Sequence, residues 1–169
     1  HGRRAVALLA LGDVGEARVA CERGLDLEPD SAFVLQEMRH VRVAESLALK
    51  DAATRAFKAG EYEATIGHLS AAIDLDDENH VFYSNRSVAH AAMRAYDKAL
   101  SDADACVRLQ PDWTKGYSRR GAALFHLGEL QAAKAAYSHA RDLEPTNPKV
   151  KADLEHVLSE IAGMRVVLP

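Results

Sequence analysis

Apolar residues recur at helical spacing along almost the whole chain, and glycines and prolines cut the pattern into segments of similar length. Gly60 and Gly128 each separate two apolar-periodic stretches, as expected where a left-handed residue ends a helix at little cost. Pro111, Pro145 and Pro148 mark further breaks, with Asp112 and Asn147 read as N-caps and Pro148 as a first helical residue. The punctuation predicts helices over 61–75, 79–93, 95–109, 113–127, 129–143 and 147–163. The last carries Val150, Leu154, Val157, Leu158 and Ile161 at helical spacing and reads as a capping helix. Ala32 to Ala59 holds neither glycine nor proline, which predicts one long helix, or two with a subtle kink.

The segments repeat. Pro111 and Pro145 are 34 residues apart, and Asp77 lies 34 before Pro111. Leu27, Leu75, Leu109 and Leu143 each precede a loop position (Pro29, Asp77, Pro111, Pro145) by two residues. Arg3–Gly12 reads like Arg119–Gly128. A 34-residue period of two helices is the signature of the tetratricopeptide repeat (TPR), so the fold expected is an all-α solenoid of helix pairs. Counting from Thr114, Tyr117, Gly121, Leu124, Ala133, Tyr137, Ala140 and Pro145 stand at the positions that pattern requires. Small residues there let paired helices approach, and large ones fill the gaps between repeats. The expected organisation is 1–45 as the end of an upstream array with its capping helix, then a three-repeat unit over 46–169. Its repeats are 46–79, 80–113 and 114–147, followed by the cap. The interval from Pro29 to Asp77 exceeds one repeat by 14 residues, about four helical turns, which implies a stiff connection between the two units.

Composition narrows the functions. The net charge of −4 argues against nucleic acid as the main partner. No apolar run approaches the roughly 20 residues of a membrane span. Two cysteines, Cys21 and Cys106, fall at small, buried repeat positions rather than in a disulfide framework, which points to a reducing, cytoplasmic setting. The eight histidines form no close ligand pair, and no phosphate loop or nucleophile elbow occurs, so no metal, cofactor or catalytic site is expected. Asp102 and Asp104 read as solvated surface carboxylates, Arg86 as a support for the groove or the partner of an acid, and Trp113 as packing between repeats.

A TPR solenoid presents a concave groove lined by the first helix of each pair. The groove positions are Lys50, Thr54, Phe57 and Lys58 in the first, Asn85, Val88 and Ala92 in the second, and Lys115, Arg119 and Phe125 in the third. Lys50/Thr54 and Lys115/Arg119 are i, i+4 pairs, each on one helix face. Cations and an amide converging in an acidic protein favour an anionic ligand, above all a carboxylate with charge-assisted donors.

The stretches His80–Ser87 and Pro111–Arg120 resemble the TPR domains of the heat-shock organising co-chaperone family, and the resemblance covers about 46–165. It implies a protein-binding module, not an enzyme, whose "carboxylate clamp" holds the Glu-Glu-Val-Asp tail of 70- and/or 90-kDa heat-shock chaperones. Residue by residue, Lys50, Asn85, Lys115 and Arg119 match the family's clamp, and Thr54 stands where its first Asn is expected. Phe57 and Val88 would flank a pocket for an apolar ligand side chain. A scaffold for a non-chaperone partner, or the adaptor part of a larger protein with a catalytic or J domain elsewhere, are the alternatives.

Overall fold

A computed structural model describes residues 1–166; the last three positions of the expected second unit lie outside the described residues. The chain there is helical throughout: α1 Gly2–Ala10, α2 Val14–Leu27, α3 Ala32–Lys58, α4 Tyr62–Leu75, α5 His80–Ala92, α6 Tyr96–Leu109, α7 Thr114–His126, α8 Leu130–Leu143 and α9 Pro148–Val166. Each helix packs on the next in the chain, and α5 also meets α7, as in a solenoid of helix pairs. From α4 to α8 the boundaries fall within a residue of those read from the punctuation, while α9 runs three residues further.

The long helix is a single element. Over its N-terminal half, α3 packs Val34, Met38 and Val41 against Ala5, Ala17 and Cys21 of α1 and α2. Over its C-terminal half it packs Leu49 and Ala53 with Leu69, Ala72 and Ile73 of α4 and with Phe82 of α5. The boundary expected at 45/46 therefore lies inside a helix, and Arg18 of α2 holds Glu45 there with a bidentate ion pair.

Close helix approach depends on missing side chains. A Cβ on Gly121 would meet three ring atoms of Tyr137 at 2.8–2.9 Å, so glycine is what lets that ring lie flat against α7. Tyr137 is 5% exposed and joins Leu124, Ala133, Leu154 and Val157 in the core that α9 covers. Leu158 of α9, expected to join it, is 40% exposed instead: its position turns off the buried stripe set by Val150, Leu154 and Val157.

Capping departs from expectation at α7. Trp113, not Asp112, holds the N-cap position and gives no side-chain cap bond; its ring meets His80 edge-on at 4.6 Å. Asn147 does cap α9, accepting from the backbone of Lys149 and Val150.

The helix-ending turn within each pair uses a left-handed residue: Gly12, Gly60 and Gly128 have φ near +80°, and the equivalent position in the middle repeat is Arg94 at +58°. A side chain costs roughly 1–2 kcal/mol in that region. Arg94→Gly is therefore expected to stabilise the fold by about 1 kcal/mol, raising Tm by about 2–4 °C. Calorimetric melting reads it directly; an unchanged or lowered Tm means that the arginine side chain contributes contacts that offset its strain.

Asp102 is the main correction. Far from being solvated, it is 6% exposed. It accepts two hydrogen bonds from Arg86, from Nε at 2.9 Å and Nη2 at 2.7 Å. Arg86 also donates to Ser70 Oγ at 2.9 Å, so one guanidinium ties α4, α5 and α6 together. A bidentate geometry of this kind suits arginine and offsets much of the desolvation cost of the buried carboxylate. His90 lies 3.8 Å from the same carboxylate, and burial holds its pKa below the usual histidine value.

Candidate peptide-binding cleft

The groove side of α3, α5 and α7 contains a cleft of about 230 Å³. Its floor is apolar: Ala53 and Phe57 from α3, Leu69 from α4 and Val88 from α5. Its polar atoms come from Thr54, Lys58, Thr65, Asn85 and Arg119. Of the seven residues assigned to the clamp and its apolar pocket, five line this one cleft: Thr54, Phe57, Asn85, Val88 and Arg119. Lys50 and Lys115 stand outside its lining, one turn from Thr54 and Arg119 on the same helix faces.

Each side chain is held differently. Phe57 meets Tyr62 edge-on at 5.4 Å, which fixes the ring against the start of α4. Thr65 is buried and spends its hydroxyl proton on the Glu61 carbonyl at 2.8 Å. Thr54 does the same with the Lys50 carbonyl at 2.9 Å, so its hydroxyl keeps only acceptor capacity in this rotamer. Lys50 is drawn to its neighbour Asp51, 3.1 Å away. Lys115 is exposed, with Nζ 5.8 Å from the centre of the Trp113 ring.

Arg119 stands out within the cleft. Its Nε is buried and has no hydrogen-bond partner, a feature shared with Arg120 Nε, which lies outside the cleft lining. Burial pulls the guanidinium pKa below its usual value, opposed by Tyr137, Cys106 and Asp153 behind it. Cys106 itself is pushed up to about 11 by burial, so its thiol stays protonated and serves as packing at neutral pH. A half-buried guanidinium with no carboxylate from the protein beside it is favoured by an anion in the cleft, which the remaining guanidinium nitrogens would meet.

Lys58, read from the sequence as a groove position though not matched to the clamp, also lines the cleft; it follows Thr54 by four positions on the same face. Among the described residues, no group of three or more histidine, cysteine or acidic side chains is arranged to hold a metal ion.

No family model matches the chain. Over 99 residues it is 52% identical to a wheat (Triticum aestivum) Hsp70-Hsp90 organizing protein, a match spanning 59% of this chain and 17% of that protein. Over 115 residues it is 43% identical to the heat shock protein sti1 homolog of Schizosaccharomyces pombe, spanning 68% of this chain and 19% of that protein. The chain thus spans about a fifth of the length of these curated relatives. Among solved structures it is similar to the first TPR domain of Spaghetti (RPAP3) bound to the HSP90 peptide SRMEEVD. That match has a TM-score of 0.69 and 34% identity, and covers 71% of this chain and 98% of that one. On the helical-pair fold, the 34-residue period and this coverage, the chain belongs to the tetratricopeptide-repeat family.

Proposed function

We propose that this chain is a protein-binding module that takes the free C-terminal carboxylate of an acidic chaperone tail into the α3–α5–α7 cleft. The observation that carries the reading is the half-buried Arg119 guanidinium, which lines one cleft together with Asn85, Phe57 and Val88. Arg119, Lys115 and Lys50 supply positive charge, and Asn85 supplies a donor of fixed direction. Phe57 and Val88 receive an apolar ligand side chain. The co-chaperone role, and tails of the 70- and 90-kDa heat-shock class as ligands, follow from the relatives' names and from the peptide bound to the similar domain. The residues from 46 onward form the binding unit, and 1–45 the end of a preceding array. An adaptor role with no catalysis of its own accords with those relatives, and a cytoplasmic setting with its reduced, buried cysteines.

Titration calorimetry with the free-acid peptide SRMEEVD tests the reading. A Kd of roughly 1–100 μM is expected, corresponding to about −8 to −5.5 kcal/mol. Amidation of the peptide C-terminus is expected to abolish binding. Equal binding of the amidated peptide would show that the carboxylate is not what the cleft reads.

Thr54 limits the affinity in this reading. Its hydroxyl proton is engaged with the Lys50 carbonyl, where an asparagine amide would reach further and donate outward. Thr54→Asn is expected to tighten SRMEEVD binding about tenfold, the worth of one hydrogen bond to a charged group. Unchanged or weaker binding in that variant would mean that Thr54 is not the limiting position.

A further inference from the structure

We infer that Lys58 is a specificity-determining residue of the cleft, the group that reads the first glutamate of a Glu-Glu-Val-Asp tail; the inference rests on the cleft reading above. The cleft lining holds two cations, Arg119 on α7 and Lys58 on α3, and Asn85 and Val88 of α5 line it as well. These two cations are alike in a way the flanking ones are not. Lys50 faces Asp51 at 3.1 Å and Lys115 is attracted to Glu144, whereas Lys58 and Arg119 form no ion pair with a carboxylate among the described residues. Side chains on an α-helix lean toward its N-terminal turn. Lys58 therefore reaches back along α3 over the turn that carries Thr54, while Lys50 leans away from the cleft toward Ser46.

A terminal carboxylate held by Arg119 and Asn85 leaves Lys58, on a different helix of the same cleft, without a partner. A ligand that uses both cations carries a second anionic group, set off from the first by the apolar floor. The side chains of an extended peptide alternate between two sides at about 3.3 Å per residue. With the penultimate valine of SRMEEVD seated against Phe57 and Val88, the next side chain on the same side is that of the first glutamate, about 7 Å further along. The second glutamate faces the other way. Lysine suits this role: its aliphatic stem lies along apolar surface while its ammonium meets a carboxylate without demanding a fixed geometry. The last turn of α3 also holds Arg55, exposed like Lys58 and equally able to favour the helix C-terminus, but outside the cleft lining. What distinguishes Lys58 is its place in the cleft, not its charge at a helix end.

A double-mutant cycle across the complex, read by titration calorimetry, tests the assignment. The free-acid peptides SRMEEVD, SRMQEVD and SRMEQVD are titrated into the unaltered chain, into Lys58→Gln and into Arg55→Gln. Lys58→Gln is expected to weaken SRMEEVD about fivefold, near the top of the range for a partly solvated ion pair. SRMQEVD is expected to bind the unaltered chain about fivefold less tightly than SRMEEVD, and to lose less than about twofold more in Lys58→Gln. SRMEQVD is expected to keep the whole of the loss in Lys58→Gln. Arg55→Gln removes the same charge from the same helix end and is expected to leave every affinity within about twofold. Both substitutions alter exposed side chains, and the peptide arm of the cycle alters no part of the protein. A Lys58→Gln loss that is equal for SRMEEVD and SRMQEVD, that is matched by Arg55→Gln, or that disappears with SRMEQVD instead overturns the assignment and leaves the cleft reading intact. If SRMEEVD fails to bind the unaltered chain, the cleft reading falls and the assignment with it.

Discussion

Replacing Lys115 and Arg119 together by alanine is expected to weaken SRMEEVD binding by at least about a hundredfold while leaving the fold as stable as before, or more so. Each charge-assisted hydrogen bond to the ligand is worth about 1.5–3 kcal/mol, and the two side chains sit one helical turn apart on α7. The stability half of the expectation comes from the burial of Arg119 without a partner for Nε. Removing a desolvated, unsatisfied cation relieves a cost that the free protein carries for the sake of its ligand. Lys115 is exposed; its distant approach to the Trp113 ring and its attraction to the exposed Glu144 are both worth little at a solvated site. Calorimetric titration and thermal melting of the same preparations separate the two effects. A variant that loses affinity and Tm in parallel would place Arg119 among the structural residues. Binding by the unaltered protein should also weaken as salt rises from 50 to 500 mM, because the cleft cations remain partly solvent-exposed (about 10 Å screening length at 0.1 M).

Asp102→Ala is expected to destabilise the repeat core strongly, by about 3–5 kcal/mol. The mechanism is the abandoned partner. Arg86 would lose both carboxylate bonds and keep only Ser70 Oγ, inside a contact that joins three helices. Its side chain is 20% exposed, so water recovers a part of the loss and the lower end of that range is the expectation. For a domain of this size the corresponding fall in Tm is about 10 °C. Asp102→Asn keeps an acceptor for one of the two donors and should fall between. A drop of only a degree or two in Asp102→Ala would show that Arg86 finds solvent or another acceptor without cost.

The repeat was legible because its punctuation is local. A glycine at 60 or 128 specifies a left-handed turn whatever surrounds it, and the helices between such marks fall where the sequence places them. Arg94 breaks that rule in the middle repeat, where its neighbours enforce the same turn on a residue with no preference for it. Asp102 was misread for a different reason: its partner is 16 positions away on another helix, and nothing in the charge pattern of α6 distinguishes a buried carboxylate from a solvated one. The groove face could be read from period alone, and that is why five of the seven candidates share a cleft. Which cations enter its lining could not. Lys58 does and Lys50 does not, and the difference lies in side-chain direction and in a neighbour such as Asp51, neither of which the helical period determines.

The unbroken α3 also constrains how the chain can change. A helix shared between two packing partners carries a phase as well as a length: its N-terminal turns are set against α1 and α2, its C-terminal turns against α4 and α5. Inserting or deleting one residue between Val41 and Leu49 would rotate one set of contacts by about 100° relative to the other. Either the upstream core or the cleft would then turn away from its partner. Only steps near a whole number of turns, such as about seven or eleven residues, restore the angle. Length variation among descendants of this sequence should therefore be quantised in the middle of α3 and free in the loops on either side.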